Sequence, residues 1–491
     1  EQNSTTWNKL SGLPDMIISK IKILPEIVVA TFGRGIFKTS YCTYNSTPLV
    51  VNTNQIWSSD KKLFSDLIID NNSTLTIEKH LFVPDAATIT VKNGSTLILN
   101  ENSILQGACK EYYEGSIIVE PGGNLILKNN STIKLAGNGN INIKDNLTNN
   151  GTLNYYPGAN IILNDVNTNI NISGTLNIQP YANFTFSGNG YIKFSNPNSP
   201  SNNIIYGSGS SITLTGNGNN DKILEIAQET VYMPNCTLFN GLVYMQHQYA
   251  RMQAANETST IYLSNVKFSP LTSYRTQHRG LQVWGNQNCT ITNCSFENGQ
   301  YGVYGYLTYG GTTLTITGCT FTNNTYGMWI HDKSFYAIGN TFTKNDYGVY
   351  AEYTSFNGSK IEDCYFTGNP DRNKYPIRYI NCDGSLFIEN TQVYDADATS
   401  FYSINTSGNY ALKLYCSTIS IPGSSTYALN LANGANLIMS THTSRSGYNS
   451  ITAAAPIRLT NAYNLNIDYG YNYLSKSGGY HVYGNITAYP C

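Results

Sequence analysis

Four stretches decide the fold: "CTITNCSFENGQYGVYGY" (289–306), "LTITGCTFTNNTYGMWIH" (314–331), "YAIGNTFTKNDYGVYAEY" (336–353) and "SKIEDCYFTGN" (359–369). They align without gaps from one aromatic onward. That column runs Phe268, Phe296, Phe321, Phe342, Phe366, in steps of 28, 25, 21 and 24 residues, and continues as Val393 and Ile419. Two residues earlier stand Cys294, Cys319, Asn340, Cys364, Thr391 and Ser417, and six residues later stand Gly302, Gly327 and Gly348. A fixed period of this size marks a solenoid, in which each repeat buries its apolar face only against its neighbours.

A shorter form of the repeat precedes it. "STLTIE" (73–78), "STLILN" (95–100), "GNLILK" (123–128), "GTLNYY" (151–156) and "GTLNIQ" (174–179) each follow Asn or Gly turns, and each alternates Leu or Ile with Thr, Asn or Lys. Period-two alternation is a strand half buried on one side. Leu75 to Leu97 is 22 residues and Leu153 to Leu176 is 23, while the 28 from Leu97 to Leu125 fits an insertion, "GACKEYYEG" (107–115).

These units resemble the parallel β-helix repeat of pectate-lyase-like and NosD-like proteins. The resemblance implies an all-β, right-handed parallel β-helix over 65–491, of roughly 18 coils with three parallel sheets. An inward Phe column then forms an apolar spine with small Cys, Thr and Ser beside it. Asn columns pass amide hydrogen bonds from coil to coil, and Gly serves turns at positive φ.

Residues 1–41 differ. "TWNKLSGLP" followed by "IVVATFGRGIFKTS" resembles the last blade of sialidase-like β-propellers, with strands expected at Ile17–Ile23, Ile27–Thr31 and Ile36–Thr39. One blade cannot bury a core alone, so the chain reads as part of something longer. Residues 42–64 read as a linker. A propeller-type blade joined to Asn-rich β-helix repeats resembles the multidomain surface proteins exported by the type IX secretion system. That implies a secreted or bacterial cell-surface location, with other domains of a parent protein and the secretion machinery as partners.

Composition supports turns and strands. Of 491 residues, 63 are Asn, 42 Gly and 39 Tyr, and only 12% are charged. Asn and Gly accept left-handed backbone, and Tyr suits strands. The net charge is −1 without a basic stripe, which argues against nucleic acid. No uncharged apolar run is long enough to predict a membrane span. The ten cysteines show no CxxC spacing, so no zinc site or other metal or cofactor is expected. Cys236, Cys289, Cys294, Cys319 and Cys364 lie inside repeats and are expected buried and reduced, since stacked side chains have poor disulfide geometry.

The functional expectation rests on the strand after each repeat glycine. Alternation turns Val303, Met328 and Val349 inward and Tyr304, Trp329 and Tyr350 outward. Trp284, Tyr306, His331 and Glu352 face out in the next column, with Asp332 and Glu352 on neighbouring coils. Flat aromatic faces accept the C–H groups of sugar rings, and polar neighbours fix hydroxyls. The expected site is therefore Trp284, Tyr304, Tyr306, Trp329, His331, Asp332, Tyr350 and Glu352, binding a polysaccharide or cell-surface glycan. Against it stands the plain alternative that Tyr columns only stack on one another and stabilise a sheet. Lyases and hydrolases on this scaffold need a carboxylate cluster. The repeats hold few acids, Glu362-Asp363 and Asp346 being expected at bends, so no catalytic residue is assigned. Three functions remain: a structural or adhesive extracellular module, a polysaccharide lyase or hydrolase, and a pure spacer.

Overall fold

A computed structural model describes residues 44–144 without a break, the strands and many turns between 152 and 484, and the backbone of three strands within 18–40. Every element among the described residues is a β-strand. From Asn45–Val51 onward all pairings are parallel, each strand lying beside the strand one coil later. Parallel crossovers of this kind take the right-handed sense, and the chain is a right-handed parallel β-helix.

The registers follow the sequence columns. Leu75, Leu97 and Leu125 are direct partners, as are Leu153 and Leu176. Phe268, Phe296, Phe321, Phe342, Phe366, Val393 and Ile419 pair in that order. Equivalent residues thus sit one strand spacing apart, about 4.8 Å. The Phe rings stack at 4.5–5.1 Å between centroids and nearly parallel, 6–8° for the last three pairs. All are buried.

The turns are of two kinds. Eleven turns stack in one sheet from Thr230–Met233 to Val482–Gly484 (the first wall), whereas earlier turns close on a seven-stranded and a five-stranded sheet. The reason is the repeat itself. The short form makes four-residue strands with alternating burial, separated by Asn or Gly turns such as Asn71-Asn72. The long form folds two strands around a bend (second and third walls) and then runs a six-residue strand such as Tyr326–His331.

That bend is stereotyped. Asn293, Gly318, Gly339, Asp363, Asn390 and Cys416 adopt positive φ, each directly before a residue of the small-side-chain column. The backbone N–H of that residue donates to the column side chain of the next coil: Cys294 N to Cys319 Sγ (3.3 Å), Cys319 N to Asn340 Oδ1 (2.8 Å), Thr391 N to Ser417 Oγ (3.2 Å) and Ser417 N to Asn449 Oδ1 (2.9 Å). A second ladder sits at the next bend, where Asn324 Oδ1 accepts from Gly299 N and Asn345 Oδ1 from Asn324 N. Amides that turn away from the sheets are satisfied in this way inside the core. Cys236, Cys289, Cys294, Cys319 and Cys364 are buried and form no disulfide, whereas Cys109, in the insertion, is disulfide-bonded.

Three expectations change. Gly302, Gly327 and Gly348 lie within strands rather than at positive φ. A Cβ there would sit 2.7–2.9 Å from the rings of Phe321, Phe342 and Phe366 respectively, so the glycines admit the Phe spine. The stretch 42–64 is no linker: Asn45–Val51, Gln55–Trp57 and Lys61–Lys62 pair with the strands that begin at Ser65, Thr74 and His80. Its alternation is hard to read because most of its first strand is exposed. Glu362 is not at a bend but ends the strand Ser359–Glu362; only Asp363 turns. The strands Ile18–Ile23, Glu26–Thr31 and Gly35–Ser40 form a separate antiparallel sheet, close to the ranges expected.

Candidate functional site

The first wall brings the expected residues together. Gln282, Tyr304, Trp329, Tyr350 and Arg378 are successive partners in one column, and Trp284, Tyr306, His331 and Glu352 in the next. Tyr301, Tyr326 and Tyr347 add a third. The alternation holds: Val303, Met328 and Val349 are at most 1% exposed, while Tyr304, Trp329 and Tyr350 are half-buried on the outside. The Trp284 side chain lies outside the described residues.

The rings do not form a bare platform. Trp329 packs on Tyr326 (4.9 Å), Tyr301 (5.1 Å), Tyr304 (5.3 Å) and Tyr350 (5.6 Å), mostly tilted or edge-on. Such geometry suits ring quadrupoles, but it occupies much of the indole face. Its Nε1 donates to Glu352 Oε1 at 2.9 Å, and the Tyr350 hydroxyl donates to Glu352 Oε2 at 3.3 Å. Burial pushes the Tyr304 and Tyr350 phenols up to about 12, so both stay neutral donors.

The open part of the wall is its rim. Tyr306 lies 5.0 Å from His331, which lies 5.2 Å from Tyr353, a ring 47% exposed. His331 Nδ1 is 2.8 Å from Asp332 Oδ2, near enough to pair when protonated but poorly aligned for a hydrogen bond, and Nε2 is 4.0 Å from Glu352.

Arg378 was missed. Its guanidinium lies 5.0 Å from the Tyr350 ring and donates to the Tyr347 hydroxyl at 3.2 Å. The gap of 28 residues from Tyr350, longer than the preceding steps of 25 and 21, hid the column. The wall carries charges of both signs, with Asp332 and Glu352 beside Arg378.

Sequence reasoning also missed a groove of about 450 Å³ on the second wall, lined by Tyr336, Lys360, Glu362, Phe387, Glu389 and Tyr415 among others. Glu362 and Glu389 are direct partners on adjacent coils, and Lys360 Nζ reaches both, at 2.9 and 3.3 Å. The signal was present: both stand four residues before the aromatic column, at Phe366 and Val393.

Fold and site together define a parallel β-helix repeat protein with an aromatic outer wall. Residues 240–413 match the family model described as periplasmic copper-binding protein (NosD), less than half of the chain. No curated protein matches. Among solved structures, the periplasmic alginate epimerase AlgG is similar at 9% identity over 80% of this chain and 77% of its own, with a TM-score of 0.20. A substituted form of the same epimerase gives 8%, 84%, 77% and 0.22. Likeness at that level carries no argument about substrate or chemistry.

Proposed function

We propose that the chain is an extracytoplasmic β-helix module, structural or adhesive, whose first wall binds a neutral or weakly charged glycan between Gly280 and Tyr353. The carrying observation is the row of partly exposed rings on consecutive coils, edged by His331, Asp332 and Glu352. Rungs about 4.8 Å apart place rings and polar groups on the scale of a sugar unit. The balance of Asp332 and Glu352 against Arg378 offers no surplus of positive charge to an acidic polymer. The location draws support from the periplasmic description of the family model over 240–413 and from the disulfide at Cys109, a bond typical of oxidising compartments. In this reading the chain is a segment of a larger exported surface protein, with the type IX machinery as its route; the blade-like N-terminal strands favour this by resemblance alone.

Copper binding, named in the family description, does not fit the described residues. Copper sites gather imidazole, thiolate or thioether donors. Here burial pushes the Cys289, Cys364 and Cys382 thiols up to about 12, and no three His, Cys, Asp or Glu side chains converge among the described residues.

One observation favours a purely structural role: four rings and Glu352 already take up Trp329. The test uses a glycan array with two variants. Tyr306→Ala with Tyr353→Ala strips the rim and is expected to abolish binding of at least one oligosaccharide on the array with little change in melting temperature. Trp329→Ala is expected to lower both. An array on which the native chain binds no glycan, or none whose binding depends on the rim, overturns the first-wall reading.

A further inference from the structure

The second-wall groove is a different feature from the aromatic wall, and its lining is specific. Tyr336, Lys360, Phe387 and Lys413 are successive partners in one outward column, and Ile338, Glu362, Glu389 and Tyr415 in the other. Three aromatic residues therefore bracket one ammonium and two carboxylates. The volume, about 450 Å³, lies within the range of small-molecule sites, roughly 300–1,000 Å³. Gly358 keeps the opening clear: at φ +69° it stands against Phe387, where a Cβ would come within 3.0 Å of the ring.

We propose that this groove binds one neutral sugar unit, a carbohydrate subsite independent of the first wall. The argument is chemical. Lys360 supplies donors only, and Glu362 and Glu389 supply acceptors only. A hydroxyl donates and accepts at once, so vicinal hydroxyls match a Lys–Glu pair: each donates a hydrogen bond to a carboxylate, and one accepts from the third N–H of Lys360. Glu362 and Glu389 are Cα partners one rung apart, about 4.8 Å, so hydroxyls of one pyranose ring can reach both. Phe387 and the tyrosines offer faces for its C–H groups.

Charge narrows the class. Lys360 holds both carboxylates, and Lys413 Nζ lies over the Phe387 ring, 4.6 Å from its centroid. Two cations then face two anions, which favours neither a uronate nor an amine. Because one ammonium clamps both carboxylates, the pair is built to hold hydroxyls rather than to hand a proton to a leaving group.

The test is saturation-transfer NMR on the full chain with neutral methyl glycosides of the gluco, galacto, manno and xylo series, beside glucuronate and glucosamine. At least one neutral glycoside is expected to bind. Its affinity should fall about tenfold in Glu389→Gln, an isosteric change that loses a charge-assisted hydrogen bond, and further in Phe387→Ala. Tyr306→Ala with Tyr353→Ala should leave it unchanged. The proposal is overturned if no neutral glycoside binds, if glucuronate or glucosamine binds more tightly, or if binding survives both groove variants. Binding lost only with the first-wall pair also overturns it and leaves the first-wall reading intact.

Discussion

Replacing Gly327 by Ala should loosen the coils around it by about 2–3 kcal/mol, the upper part of the range for overpacking a filled core. The added Cβ would meet Gly348 O at 2.6 Å and Phe342 Cδ1 at 2.9 Å. The carbonyl belongs to the next coil and cannot move without breaking the ladder. The ring could tilt, but it is stacked on Phe321 and Phe366 at 4.9 and 4.5 Å. Because solenoid coils interact mainly with neighbours, the effect is local and a single melting curve would blur it. Hydrogen exchange read by mass spectrometry is the suitable assay. Amides of Tyr326–His331 and Thr341–Thr343 should exchange about 30-fold faster for 2 kcal/mol, while those of Thr96–Leu99 stay unchanged. Adding Phe342→Leu removes the ring but not the carbonyl, so the double variant should cost about 1 kcal/mol less than the sum of the single ones. Gly327→Asn should be worse than Gly327→Ala, since the position needs space and not left-handed backbone. A milder effect for Asn, or strict additivity with Phe342→Leu, would refute this account of the glycine column.

Cys294, Cys319 and Cys364 are at most 2% exposed, and burial pushes the Cys364 thiol up to about 12. An alkylating reagent at mildly alkaline pH should therefore modify them only in denaturant, and rapid labelling of the native protein would contradict it. Burial pushes the Glu225 carboxyl up, but hydrogen bonds and charge from Lys193 (2.8 Å) and Lys222 (2.6 Å) outweigh this and hold it below the ordinary range. A carboxyl depressed in the folded state adds stability at neutral pH that fades as pH falls below about 4.3 through the folded value. Urea midpoints should thus decline less steeply toward pH 3 in Glu225→Gln than in the native chain, and parallel curves would show that the clamp contributes nothing.

The core was legible in the sequence because it is periodic. Phe296, Phe321 and Phe342 fall at intervals close to one coil, and alternation correctly turned Met328 inward and Trp329 outward. What the pattern does not carry is distance between side chains. The glycine column looked like turn chemistry, since glycine is common in turns; its true constraint, the Phe ring one coil on, is invisible in one dimension. Trp329 was correctly placed outside, yet how four neighbouring rings share its faces depends on rotamers. Arg378 escaped for a simpler reason. The loops between coils vary in length, so a charged residue that shares a column can look displaced along the chain, whereas Glu362 and Glu389 stand at one offset from the aromatic column.

The chain of caps at the bends has an evolutionary side. Cys319, Thr391 and Ser417 each receive from the coil before the same kind of bond that they make to the coil after, whether the acceptor is a sulfur, an amide oxygen or a hydroxyl. The acceptor lies 21 residues away in one case and 32 in another, so loops lengthen without disturbing it. Duplicating or deleting one whole repeat leaves every remaining joint chemically equivalent, while losing a single residue inside a strand misaligns both faces at once. Such a chain can grow or shorten by modules, its length free to drift under selection while the local rules of assembly stay the same.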